Sequence, residues 1–161
     1  VGPRAPVLLE AHNATLQMSG EGGIGYNYFA GFAHHWIAGW TDTTAYPEWE
    51  IDVVAPGAYS VALHYALENE DSGVHARICA GDEQINIVLN EPYESTVVEQ
   101  PFILPEEAEK YETRTAWKRL EAGTVRLQGG VQKVQIFADK IPGEQAFELK
   151  AVEFAPVAEN N

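Results

Sequence analysis

Apolar and polar residues alternate through most of this chain. In "WEIDV", Trp49, Ile51 and Val53 fall on one side, with Glu50 and Asp52 on the other. "YSVALHYAL" places Tyr59, Val61, Leu63, Tyr65 and Leu67 on one face, opposite Ser60, Ala62, His64 and Ala66. A period of two is the signature of a half-buried strand. "VHARICA", "QINIVL", "TVRLQ", "VQKVQIFAD" and "FELKAVEF" continue the series. Turn-forming stretches separate the strands: "APGA" at 55–58, "AGD" at 80–82, "EAG" at 121–123, "GG" at 129–130 and "IPGE" at 141–144. Short strands at about ten-residue spacing predict an all-β fold, an antiparallel β-sandwich or jelly roll. One short helix is predicted in "LPEEAEKYE" at 104–112, where Pro105 suits a first turn and acids precede Lys110 along the dipole.

Length fits one domain: 161 residues, with no internal repeat. Residues 1–6 read as a linker or a cut edge, 7–156 as the sandwich and 157–161 as a tail. The opening "VGPRAP" suggests a domain taken from a longer protein. No apolar run is long enough to span a membrane, and no signal peptide is visible. A net charge of −14 opposes binding to nucleic acid or to an anionic membrane, because the summed field repels polyanions. With one cysteine, Cys79, an intrachain disulfide and a multi-cysteine zinc site are excluded. Cys79 lies in an apolar run and reads as a small buried hydrophobe.

Residues 20–47, "GEGGIGYNYFAGFAHHWIAGWTDTTAYP", break the alternation. A long glycine- and aromatic-rich segment between strands is either functional or self-packed. Aromatic rings bury the apolar face of a pyranose and have few torsions to freeze, while polar neighbours fix its orientation. Tyr26, Tyr28, His34, His35, Trp36, Trp40 and Asp42 are the candidate sugar-binding set; the alternative is that these rings fill the core. His34 and His35 are a poor metal pair, since adjacent side chains on extended backbone point apart. A second cluster, "KYETRTAWKR", concentrates Lys110, Arg114, Lys118 and Arg119 with Tyr111 and Trp117. Arginine grips sulfate or carboxylate through two parallel hydrogen bonds. The alternative is neutralisation of nearby glutamates in weak surface pairs. Asn13-Ala14-Thr15 matches a glycosylation acceptor pattern that is common by chance. The nucleophile elbow, the phosphate loop, the dinucleotide fingerprint and the zinc-protease motif are absent, so the chain reads as a non-enzyme.

"LLEAHNATL" at 8–16, "WEIDVVAPGAYSVALHYAL" at 49–67 and "LEAGTVRLQGGVQKVQIFADKIPGEQAFELKAVEF" at 120–154 together resemble the galactose-binding-like β-sandwich of carbohydrate-binding modules, similar in layout to families 6 and 35. "HHWIAGWTDT", "EKYETRTAWKRLEAGTV" and "DKIPGEQAFELKAV" resemble the C-terminal accessory domain of bacterial arylsulfatases. The sulfatase catalytic pattern C/S-x-P-x-R is missing, because Cys79 is followed by Ala80-Gly81-Asp82. The resemblance implies a secreted or periplasmic module, of marine bacterial type, covalently linked to a catalytic domain. Its ligand would be a polysaccharide, a sulfated algal galactan such as porphyran, agarose or carrageenan. Lys110, Tyr111, Arg114 and Trp117 would join the aromatic loop in binding it. The alternative is an accessory domain that packs on a sulfatase without glycan affinity of its own. The resemblance also implies a structural calcium ion, with Glu10 at the first acidic position and Glu148 at the last. His12 stands where the family has a second acid.

Overall fold

The computed structural model describes residues 5–27, 36–94, 97–99, 112–114 and 116–158, with backbone alone at 97–99 and 112–114. Thirteen strands are described: β1 (Val7–Glu10), β2 (Thr15–Gln17), β3 (Gly25–Asn27), β4 (Trp36–Ala38), β5 (Tyr46–Val53), β6 (Gly57–Ala66), β7 (Val74–Ala80), β8 (Glu83–Leu89), β9 (Val97–Glu99), β10 (Glu112–Arg114), β11 (Lys118–Leu127), β12 (Gly130–Lys140) and β13 (Glu148–Pro156). One sheet runs β11-β6-β13-β4-β3, with β1 also pairing β13; the other runs β2-β5-β12-β7-β8. All pairings are antiparallel. The fold is the expected all-β antiparallel sandwich.

Alternation decides which residues enter the core. Trp49, Ile51 and Val53 of β5 are buried against Tyr59, Val61, Leu63 and Tyr65 of β6, Val134 and Ile136 of β12, and Val152 and Phe154 of β13. Apolar burial of this kind contributes roughly 25 cal/mol per Å². The Trp49 indole donates to the Glu10 carbonyl at 2.9 Å, fastening β1 to the opposite sheet. Gly81 adopts φ +58° in the two-residue connection of β7 to β8, the left-handed conformation for which glycine carries no steric cost.

One expectation is corrected, and another falls almost wholly outside the described residues. "EAG" at 121–123 is no separator: β11 runs through it and absorbs the extra residue as a bulge between Glu121 and Gly123. Of the predicted helix, 104–111 lie outside the described residues, and Glu112 opens strand β10. The described helical pieces are two 3₁₀ turns, Ala11–Asn13 and Asn69–Asp71. The second presents the buried Asp71 carboxylate to the backbone N–H groups of Glu144 and Gln145 at 2.9 and 3.3 Å. A Cβ at Gly143 would sit 2.2 Å from Asp71 Oδ1, so glycine is what permits this clasp.

Candidate functional site

Trp36 and Trp40, two described rings of the aromatic segment, turn inward. Trp40 is 1% exposed; its Nε1 donates to the carbonyl oxygens of Ala45 and Asp42 at 3.0 and 3.2 Å, and its ring packs on Phe147. Trp36 is 2% exposed and meets Trp117 edge-on, with centroids 5.6 Å apart. Neither Trp36 nor Trp40 offers a face to a ligand, which corrects their sugar-stacking assignment; burying so large an apolar surface in the core outweighs exposing it. Tyr26 is half-buried and donates to the Ala14 carbonyl. Asp42 accepts from Thr44 N and Oγ1, both at 2.8 Å, and these bonds hold its carboxyl below the usual range. Its side chain therefore builds a turn. Trp117 is half-buried against Trp36. Tyr28, His34, His35, Lys110 and Tyr111 lie outside the described residues, and Arg114 is described as strand backbone.

The rest of the basic cluster is engaged within the fold. Lys118 pairs with Glu91. Arg119 donates to both oxygens of Glu153 at 3.0 and 3.1 Å, and His64 Nε2 lies 2.8 Å from the same carboxylate. Two of the four clustered cations thus neutralise carboxylates brought near by strand pairing, as in the alternative reading of the cluster.

The described surface that combines rings with polar groups is the outer face of the β2-β5-β12-β7-β8 sheet. Register aligns Gln17 with Tyr46, Phe137 with Arg77, and Arg77 with Asn86. A parallel row runs Thr15, Glu48, Gln135, Cys79 and Gln84. The rings of Tyr46 and Phe137 lie 4.5 Å apart at a 39° tilt. The Arg77 guanidinium sits 4.2 Å over Phe137, a cation–π contact, and donates through Nε and Nη2 to Asp139 at 2.9 and 3.0 Å. Glu48 accepts from Lys133 at 2.8 Å and from Gln135 at 2.5 Å. Beside Asp139, a depression of about 270 Å³ is lined by His75, Asn86 and Val88 among others. Cys79 is half-buried on this outer row, 3.5 Å from Arg77 Nη1, and is therefore no core hydrophobe. One signal in the sequence marks this face: Phe137 and Tyr46 occupy the polar phase of their strands, where alternation calls for hydrophilic side chains.

Arg77–Asp139 and Lys133–Glu48 are the ion pairs described on this face, which also carries Glu50 and Asp52. Hydrogen bonds from Arg77 hold Asp139 below the carboxylate range, and Asp139 raises Arg77 in return. Lys133 and then Gln135 lower Glu48 in the same manner. On the other sheet, Arg119 and then His64 lower Glu153. A carboxylate with a depressed folded-state pKa adds stability that is present above its unfolded value, about 4, and lost as pH falls through the folded value. Urea midpoints measured against pH are therefore expected to fall on an acid limb beginning below about pH 4, and Glu153→Gln is expected to shrink that limb.

Such a surface can bind a polyhydroxylated ligand. Rings cover its apolar faces, and guanidinium, carboxylate and amide groups supply donors and acceptors.

The residues at the expected calcium position do not fit that ion. Lys150 Nζ, on a side chain 17% exposed, lies 3.7 Å from Glu10 Oε2. Burial lowers the Lys150 pKa, and Glu10 opposes that shift. His12 offers nitrogen where calcium takes oxygen. Among the described residues, no three His, Cys, Asp or Glu side chains gather to hold a metal. Glu148, the other expected ligand, is half-buried at the start of β13, opposite Ala66.

No protein-family model matches the chain, and no curated protein matches it significantly. Solved structures do match. The family 35 carbohydrate-binding module from Clostridium thermocellum superposes with a TM-score of 0.61 at 13% identity, over 96% of this chain and 100% of that one. The GH26-CBM35 β-(1,4)-mannanase of Podospora anserina matches with a TM-score of 0.64 at 14% identity, over 98% of this chain but 29% of the mannanase. The exo-β-1,3-galactanase of Phanerochaete chrysosporium, solved with β-1,3-galactotriose, matches with a TM-score of 0.55 at 10% identity, over 94% of this chain and 30% of the enzyme. This chain therefore has the fold of a carbohydrate-binding-module β-sandwich. It spans under a third of the two enzymes and the full length of the isolated module.

Proposed function

We propose that this domain is a non-catalytic carbohydrate-binding module that holds a polysaccharide on the outer face of the five-stranded sheet. The observation that carries the proposal is the Tyr46–Phe137–Arg77–Asp139 row, an aromatic and hydrogen-bonding strip in outward register positions. Support comes from the shared fold with a family 35 module and with parts of two polysaccharide-degrading enzymes. The domain acts outside the cytoplasm, secreted or periplasmic, and keeps an attached catalytic domain close to its substrate by raising effective concentration.

A galactan is the ligand class proposed, on the sequence resemblance to arylsulfatase accessory domains; the enzymes that share the fold include a galactanase and a mannanase, so mannan is the second candidate. Internal pairing of Arg77, Lys118, Lys133 and Arg119 suits neutral hydroxyls better than sulfate. A sulfated galactan of porphyran, agarose or carrageenan type would instead depend on Lys110 and Arg114.

Affinity electrophoresis through gels loaded with neutral galactan, mannan or sulfated galactan tests this reading. Retardation by a neutral polysaccharide that survives added salt is expected. Salt-sensitive retardation by the sulfated galactan alone would move the site to the basic cluster. Free migration in every gel would replace the module with an accessory domain that packs on its enzyme.

A further inference from the structure

We infer that the ammonium of Lys150 serves as the built-in cation of the Glu10 site, so that the first and last strands are joined by an internal ion pair and the fold needs no calcium there. The two residues meet because of backbone geometry. β1 pairs β13 with Glu10 opposite Ala151. Against β6, the register of β13 shifts between Leu149 and Ala151. The core residues Leu149, Val152 and Phe154 are accordingly spaced by three and then two, with Lys150 in the inserted step. Strict alternation from Phe154 would have placed position 150 in the core. The bulge gives it instead to the rim where Glu10 stands, and such bulges re-aim side chains in this way.

Glu10 needs a positive partner. Its side chain is 30% exposed, and Oε2 is buried without a hydrogen bond. The Trp49 indole also fixes its backbone through the carbonyl, so the carboxylate cannot swing out with the strand. A carboxylate held partly out of water is unfavourable unless a charge compensates it. Lys150 Nζ, 3.7 Å away on a side chain buried further than Glu10 itself, supplies that charge. A dication brought to the same oxygen would face the ammonium at short range. The neighbouring 3₁₀ turn carries His12, a nitrogen donor, where calcium prefers six to eight oxygens.

Thermal unfolding and calorimetric titration of the whole chain with calcium chloride, against a chelator control, test the inference. For the wild type, the melting temperature is expected to agree within about 1 °C in chelator and in millimolar calcium, with no heat of binding; a saturated site would raise it by roughly 5–10 °C. Lys150→Asp replaces the internal cation with a second carboxylate beside Glu10. It is expected to be less stable in chelator and to regain stability, or to fold, on adding calcium. A wild-type shift of several degrees, or a Lys150→Asp variant that ignores calcium, overturns the inference.

Discussion

Trp40→Ala is expected to lower stability by about 3–5 kcal/mol, the usual range for removing a buried tryptophan. For a domain with total stability of about 5–15 kcal/mol that is a large share. The melting temperature should drop by about 6–20 °C, at the few degrees per kcal/mol typical of this chain length. The reasons are local. Trp40 is 1% exposed, and its indole N–H satisfies the Ala45 carbonyl inside the protein. Its ring lies 5.4 Å from Phe147, which in turn meets Tyr65 of β6 at a near-right angle. Its own carbonyl accepts from Ala146 N at 2.7 Å, tying the loop after β4 to the segment that leads into β13. Truncation would leave a cavity at the junction of two loops and an unpaired carbonyl in it. Urea unfolding with tryptophan fluorescence reads the loss. A Trp40→Ala protein with wild-type stability but lost glycan affinity would restore the sequence expectation of a stacking ring.

Phe137→Ala should act on folding and binding together. Phe137 is half-buried on the outer face, between the Tyr46 ring and the Arg77 guanidinium. Folding loses about 1–2.5 kcal/mol, from the part of the ring already buried and its aromatic and cation–π contacts. Ligand binding loses the burial of the exposed remainder of the ring, about 0.5–1.5 kcal/mol, or roughly 2–15-fold in affinity. Arg77→Lys keeps the charge but not the planar fork that spans Asp139 at two points, so its affinity should also fall. The two variants divide the chain's aromatic residues into those that build the domain and those that meet its ligand.

The sandwich was legible because alternation is a local signal. Trp49, Ile51 and Val53 read as one face, and they are one face. Two of the β-bulges, in β11 and β13, escaped that signal. "EAG" has turn-forming residues, yet pairing with β6 carries β11 straight through it. In "FELKAVEF", Phe147 and Leu149 set a phase that puts Lys150 outside, but the break at Ala151-Val152 that marks the bulge is easily read as continuous strand, and the resemblance points to Glu148 instead. Trp36 and Trp40 were misassigned because glycine-rich composition says that backbone is free to turn and not which way it turns. Trp40 turned inward because the Ala45 and Asp42 carbonyls satisfy its one polar atom there. Phe137 and Tyr46 were passed over because an aromatic residue in a strand is read as core unless its phase is checked. Pairings such as Arg119 with Glu153 join residues 34 apart, and only the sheet order brings them together.

Retardation of Phe137→Ala, beside the wild type, in a gel containing whichever polysaccharide slows the wild type addresses the proposed binding face most directly. The melting temperature of each protein should be recorded in parallel. The account predicts that Phe137→Ala stays folded, melting within about 10 °C of the wild type, and is retarded clearly less than the wild type in the same gel. Full retardation of a folded Phe137→Ala protein would contradict it, and the ligand would have to be sought away from the five-stranded sheet.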